Sequence, residues 1–365
     1  MAGLPAPARM LPSEIIHDAL PLPHKPGAYM HYSLARSHDP APPVPNPTSN
    51  TVAPVLIVFL NGLMTDKSSW LPVMAGIIRQ RKGTSMSWPT LLAYDRYGQG
   101  LTSDRDPQDA NHEPGRGHDV SDAVVDLRQL ILQICKTEEE LGGEETRIVL
   151  VANSIGCAIG RLYAEEYPCA ALLLLDSIIA NSNFDFWPDP DDAGFDPAEQ
   201  LPEDVSVEVL REQRAKFAKI FSPEVPNREG LDRRNLWRLL PYSDQPMLGK
   251  EGRRPWVTVV GHDFQKFAEE SEMVSDNPLS FLLHGEVDWV QQSLGTPISL
   301  SMMYSNPIWR TYNRGLAKLT DHKFSKGPFQ ALGCGHFIQR DDPHLVVDET
   351  LDLVDKVRLE HSVTW

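Results

Sequence analysis

The chain has 365 residues, 41% of them hydrophobic, enough for a large buried core in one domain with an insertion or in two domains. Its 34 basic and 50 acidic residues leave a net charge of −16, which argues against nucleic acid or an anionic membrane as partner and fits an acidic, solubilising surface. Cys135, Cys157, Cys169 and Cys334 are scattered without metal-ligand spacing and read as small buried residues of a reducing compartment, so a cytoplasmic location is expected. The opening MAGLPAPARMLPSEII has no apolar signal core, no run is long enough to span a bilayer, and the closing HSVTW is neither a retention nor a peroxisomal tail.

Residues 1–15 are rich in Pro and Ala and are expected to be a flexible start. Ile16–Arg36 reads as two strands split at His24-Lys25-Pro26-Gly27, and the proline-rich stretch 38–54 as a loop. Val55–Leu60 is a continuous apolar run, hence a buried strand, ending in Asn61-Gly62-Leu63. Trp70–Arg79 has helical spacing, Leu91–Tyr94 is the next strand, and Val120–Cys135 carries an apolar helical face through Ala123, Leu127, Leu130, Ile131 and Ile134.

The stretch RIVLVANSIGCAIGRLYAEEYP (147–168) is the most informative. A β-branched strand runs to Ala152, a sharp turn holds Asn153-Ser154-Ile155-Gly156, and Ile159, Leu162 and Tyr163 then recur at helical spacing. Strand, turn and helix with a serine at the turn is the form of a nucleophile elbow, which demands small residues two before and two after the serine. Ala152 and Gly156 fill those places, Ala152 departing slightly from the usual glycine.

Ala171–Leu175 is the following strand, ending at Asp176. Residues 177–254 then break the alternation with FDFWPDPDDAGFDP and one amphipathic helix bearing Val207, Leu210, Phe217 and Phe221. This segment is expected to be an inserted cap over the C-terminal edge of the sheet, where α/β sheets bind ligands. The core resumes at 255–365: Val257–Val260 is a strand before Gly261-His262-Asp263, 264–320 is helical in two pieces with Ile308–Leu319 the clearer, Phe329–Leu332 is a short strand, and Leu345–Val357 a closing helix. The order implies an α/β fold, a mostly parallel central sheet with helices on both faces, its core lying in 16–176 and 255–365.

Four short motifs occur in an order that resembles the α/β-hydrolase superfamily: Asn61-Gly62 after the third strand, Asp95-Arg96-Tyr97-Gly98-Gln99-Gly100 after the fourth, Ala152–Gly156 at the elbow, and Gly333-Cys334-Gly335-His336-Phe337 before the last helix. The resemblance covers about residues 28–176 and 255–357, and is similar to fungal members in particular. It implies a serine hydrolase. A serine hydroxyl is a poor nucleophile without an adjacent base, and His336, in a glycine-flanked loop after the last strand, is the expected partner of Ser154. By the family pattern the backbone amides of Leu63 and Ile155 form the oxyanion hole. Asn61 and Gly62 are expected beside the substrate, Asn61 either orienting the oxyanion loop or capping the turn. Phe184 and Trp187 are expected to line an apolar substrate pocket in the cap.

The third catalytic group must be a carboxylate, and two compete. Asp263 follows the strand after the cap, where the family usually has its acid, but one residue short of the usual spacing. Asp176 ends the strand after the elbow, where a minority of the family has it. Asp263 is placed ahead, and Asp95 is read as a turn-bracing residue. The expected activity is cleavage of a carboxylic ester, thioester or lactone of a small apolar or amphipathic substrate through an acyl-enzyme, with no cofactor and no metal. A lyase, a cofactor-free oxygenase or a ligand receptor on the same fold are the alternatives. Ser154 at the elbow argues against haloalkane dehalogenase or epoxide hydrolase chemistry, which uses an aspartate there.

Overall fold

The computed structural model describes residues 12–37, 53–82, 88–113, 115–142, 145–249, 254–273 and 295–363. Most of the expected flexible start (1–11), most of the proline-rich stretch, and residues 274–294 of the stretch 264–320 lie outside them.

Eight strands form the central sheet: β1 (Ile15–Leu22), β2 (Lys25–Ala35), β3 (Val55–Leu60), β4 (Thr90–Tyr94), β5 (Arg147–Ser154), β6 (Ala171–Ser177), β7 (Trp256–His262) and β8 (Ser325–Ala331). Their order is β1-β2-β4-β3-β5-β6-β7-β8. β1 and β2 form an antiparallel hairpin and β2 meets β4 antiparallel; every other neighbouring pair is parallel. The continuous apolar runs became the middle of this sheet because both its faces are covered. In β3, Val55, Ile57 and Phe59 join one core, while Leu56, Val58 and Leu60 join the other.

The main helices are α1 (Leu71–Arg81), α2 (Val120–Thr137), α3 (Ile155–Glu166), α4 (Val207–Phe221), α5 (Phe264–Glu272), α6 (Asn306–Leu316) and α7 (Pro343–Val363). Met74 and Ile77 of α1 and Val347 and Val354 of α7 pack on one face of the sheet. Leu127 and Ile131 of α2 and Ile159 and Tyr163 of α3 pack on the other. α2 begins where its capping box dictates: Asp119 accepts from the amides of Ser121 and Asp122, and Asp122 accepts in return from the amide of Asp119. Among the described residues no helix is long and apolar enough to cross a membrane.

Two elements differ from expectation. β8 begins at Ser325, ahead of the anticipated Phe329, because its Gly327-Pro328 pair is absorbed as a register shift between Lys326 and Phe329 against β7. The missing proline N–H is harmless in a strand at the sheet edge. A two-residue strand at Leu231–Asp232 also pairs with His118–Asp119, stitching the segment between β6 and β7 to the start of α2; pairings so short leave no periodicity to read.

Candidate active site

Ser154 closes β5 and opens α3 with φ 56° and ψ −122°, a region that non-glycine residues enter only where surrounding structure enforces it. The enforcement is steric. A Cβ on Gly156 would lie 2.5 Å from the carbonyl oxygen of Leu60 and 2.8 Å from that of Asn61, so α3 approaches β3 closely only because residue 156 is glycine. Asn153 fixes the other side of the turn. Its buried amide donates to the carbonyls of Leu175 (3.1 Å) and His336 (2.9 Å), tying the elbow to both β6 and the His336 loop.

The neighbouring strand end is also strained. Asn153 pairs with Leu175 but Ser154 pairs with Ser177, so Asp176 is the extra residue of a bulge, and its φ is 41°. The bulge takes Asp176 out of the ladder. Its carboxylate, completely buried, accepts from His336 Nδ1 at 2.5 Å through Oδ2. A carboxylate can only accept, so Nδ1 carries the proton and Nε2 of His336 is left for another partner. The second oxygen, Oδ1, accepts from Nδ1 of His262 at 2.8 Å. Burial by itself would raise the Asp176 pKa, but the two imidazoles and their hydrogen bonds hold it below the usual carboxylate range.

Asp263, placed ahead on sequence, is not at this site. It is the N-cap of α5: Oδ1 accepts from the amides of Gln265 (2.9 Å) and Lys266 (3.2 Å), and Oδ2 accepts from the amide of Gly333 (3.0 Å). With both oxygens so engaged and partly exposed, it braces the start of the His336 loop rather than His336 itself. The sequence held a signal for this: an aspartate directly before Phe264, Phe267 and Ala268 is a helix N-terminus pattern. His262, which no local pattern in the sequence marks, reaches Asp176 alongside His336. Asp95 accepts from the amide and ammonium of Lys67 and from the amide of Leu101, the bracing arrangement expected of it.

The loop after β3 is clamped from within the protein. Arg96 donates to the carbonyls of Asn61 and Gly62, both at 2.9 Å, and Gln99 and Thr65 also donate to Gly62 O. In a trans peptide the N–H points opposite to the preceding C=O, so fixing Gly62 O on the Arg96 side aims the Leu63 amide the other way. Glu229, buried and paired with Arg96 at 2.5 Å, accepts from the Met64 amide at 3.0 Å. Asn61 does not face a ligand. Its side chain donates to Tyr94 O and Gln99 Oε1 and accepts from Trp70 Nε1, and neither it nor Gly62 lines the cavity described next. Glu229 was not singled out in the sequence, because nothing local marks a glutamate that lies 133 residues from its arginine.

Ser154, His336, Leu63, Met64 and Phe337 border one cavity of about 90 Å³. Its remaining walls are largely apolar: Phe184, Trp187, Phe217, Ile220 and Phe221 from the segment between β6 and β7, with Ile178, Phe267 and Trp309. Phe186 stands behind them, against Phe217 and Trp309. Arg233 also borders the cavity, but its guanidinium donates to the carbonyls of Phe221, Ser222 and Val225 at the end of α4.

Comparison with known proteins agrees with this architecture. The model of the alpha/beta hydrolase family matches residues 57–349. Among solved structures, a laboratory-evolved variant of potato epoxide hydrolase superposes with a TM-score of 0.51 at 13% identity, covering 94% of this chain and 100% of that one. The peroxisomal alpha-beta-hydrolase Lpx1 of Saccharomyces cerevisiae gives 0.50 at 11% identity, covering 97% and 91%. At such identities the likeness is one of fold. No curated protein sequence matches the chain significantly.

Proposed function

Since the chain belongs to the α/β-hydrolase family, we propose that it is a serine hydrolase of a carboxylic ester, thioester or lactone. The observation that carries this reading is that His336, paired with the buried Asp176, and the strained Ser154 open onto one apolar cavity. Ser154 Oγ attacks the substrate carbonyl carbon and its proton passes to Nε2 of His336. The oxyanion takes hydrogen bonds from the amides of Leu63 and Ile155, the latter at the N-terminus of the twelve-residue α3. Collapse breaks the bond to the leaving oxygen or sulfur, which receives the proton from His336. Water then gives a proton to His336 and attacks the acyl group; Ser154 recovers its proton as the acid departs. Asp176 holds the Nδ1–H tautomer and stabilises the imidazolium in both halves. The cycle calls for no cofactor.

In this reading residues 177–254 form a cap, and Phe184 and Trp187 contact the apolar part of the substrate. Asp176 replaces Asp263 as the triad acid. The test is labelling with a fluorophosphonate together with turnover of p-nitrophenyl esters. Wild type should label stoichiometrically and turn over, and Ser154→Ala should lose both, with kcat down about 10⁴-fold or more. Near wild-type turnover in Ser154→Ala would overturn the reading, and labelling with negligible turnover on esters of every acyl length would favour a receptor.

A further inference from the structure

Asp176 is shared between two histidines, and the second has no part in the scheme above. His262 ends β7, completely buried. Its Nδ1 lies 2.8 Å from Asp176 Oδ1, and its Nε2 lies 3.0 Å from Asn306 Oδ1. The orientation of the Asn306 amide is fixed by its other end. Nδ2 is 3.0 Å from the Phe264 carbonyl and 3.1 Å from Met302 Sδ, both acceptors, so the atom turned to His262 is the oxygen. Both ring nitrogens of His262 therefore face groups that can only accept, and a neutral imidazole has one N–H.

We propose that His262 is held doubly protonated and is a positioning residue for His336, acting through the carboxylate they share. This rests on the hydrolase reading for its catalytic half only. Phe267 stacks on the His262 ring, centroids 4.2 Å apart and 18° from parallel, a face that favours a cation, while the edges of Phe264 and Trp309 close round it. The π-helical turn Ser301–Ser305 leads directly into Asn306, at the start of α6. The charged and titratable groups around His262 are Asp176 on β6, His336 across that carboxylate, Asp263 beside it in the chain, and the Arg310 guanidinium stacked on Phe264 from α6. Burial works against a proton on His262, but the Asp176 charge and the two hydrogen bonds outweigh it and raise its pKa above that of a free histidine.

The consequence is electrostatic. The Asp176 carboxylate draws positive charge toward both rings it holds. Asp176 already neutralises His262, so a proton on His336 is a second positive charge on one carboxylate. His262 thus offsets the pull of Asp176 on that proton, while its hydrogen bond fixes the rotation of the Asp176 carboxylate.

The test has two arms on the full-length chain. In the first, ¹⁵N-histidine NMR of wild type at pH 8, assigned against His262→Gln, should show both ring nitrogens of His262 protonated; one bare ring nitrogen would overturn the proposal. This arm does not depend on turnover, so it stands even if Ser154→Ala remains active and the hydrolase reading falls. In the second, the rate of fluorophosphonate inactivation is followed from pH 5 to 9. His262→Gln, which can still donate to Asp176, should move the acid limb upward by about 1–2 pH units, as expected for loss of a charge a few ångströms away at intermediate dielectric. A role in folding alone would lower the rate at every pH and leave the limb in place, which would refute the positioning role. Should His262→Gln not fold, Asn306→Leu removes the Nε2 acceptor and should shift the limb in the same direction. Asn306→Asp keeps an acceptor and should retain the doubly protonated signal; its loss there would count against the proposal.

Discussion

β6 and β7 lie side by side and run parallel, and each delivers an aspartate at the same edge of the sheet, Asp176 at the end of one and Asp263 just past the other. Their surroundings are opposite. Asp176 sits in a bulge with positive φ, completely buried, with an imidazole on each oxygen. Asp263 has ordinary extended backbone, is partly exposed, and meets three backbone amides. Both are held below the usual carboxylate range, Asp263 chiefly by the Gly333 amide and its helix-capping bonds, and Asp176 by two imidazoles against the cost of burial. The difference teaches that a depressed carboxylate is no mark of catalysis by itself. What separates the two is the presence of imidazoles: Asp176 also takes the His262 amide, at 3.3 Å, but amides hold a loop in place, whereas imidazoles couple the charge to a group that can move a proton.

Neutralising each aspartate in turn separates their roles most sharply. Asp176→Asn should cost up to about 10⁴ in kcat on p-nitrophenyl esters, because the amide favours the wrong tautomer of His336. Asp263→Asn should cost less than about tenfold. If the two losses came out reversed, the acid would be Asp263 after all. A second variant asks whether substrate binding is separate from this pair. Phe217→Ser in the cavity wall should raise KM for long acyl esters about tenfold while changing acetyl ester hydrolysis little, a difference expected from removing apolar contact area. Equal losses for all acyl lengths would assign Phe217 to folding.

Asp263→Ala should instead appear in stability. It removes a helix cap and the acceptor for Gly333, and should lower unfolding free energy by about 1 kcal/mol in a denaturant titration. The smallest effect concerns pH. Asp176 has a depressed pKa, so its contribution to stability is complete above the unfolded value near 4 and is lost only as the pH falls below it. His262 has a raised pKa, so its contribution is complete below the unfolded value of about 6.5 and is lost as the pH rises through the raised one. The pair is therefore worth most from about pH 4 to 6.5. The Tm of wild type should decline more steeply on the alkaline side than that of His262→Gln, and parallel curves would show that the ion pair adds nothing in that range.

Much of the architecture was legible along the chain. Continuous apolar runs at 55–60, 148–152 and 171–175 are what strands covered on both faces require, and the helical periods between them set the parallel order. Ser154 and His336 could be picked out because each lies in a local pattern, a small-residue elbow and a glycine-flanked loop. Asn61 misled because an amide beside a glycine turn looks alike whether it faces solvent, substrate or the interior; here Trp70, Tyr94 and Gln99 take all its bonds.

Local spacing is enough to specify the layered fold, the sharp turn at Ser154, and a histidine loop after the last strand, since each follows from a few neighbouring residues. Tertiary structure alone decided which aspartate meets His336 and that His262 joins them. That choice depends on a one-residue slip between β5 and β6 that lifts Asp176 out of its ladder. It also depends on partners 86 and 160 residues away from Asp176. A bulge is a property of two strands in register, and a buried carboxylate takes its character from whatever the fold brings within about 3 Å of it; neither is written in the residues beside it in the chain.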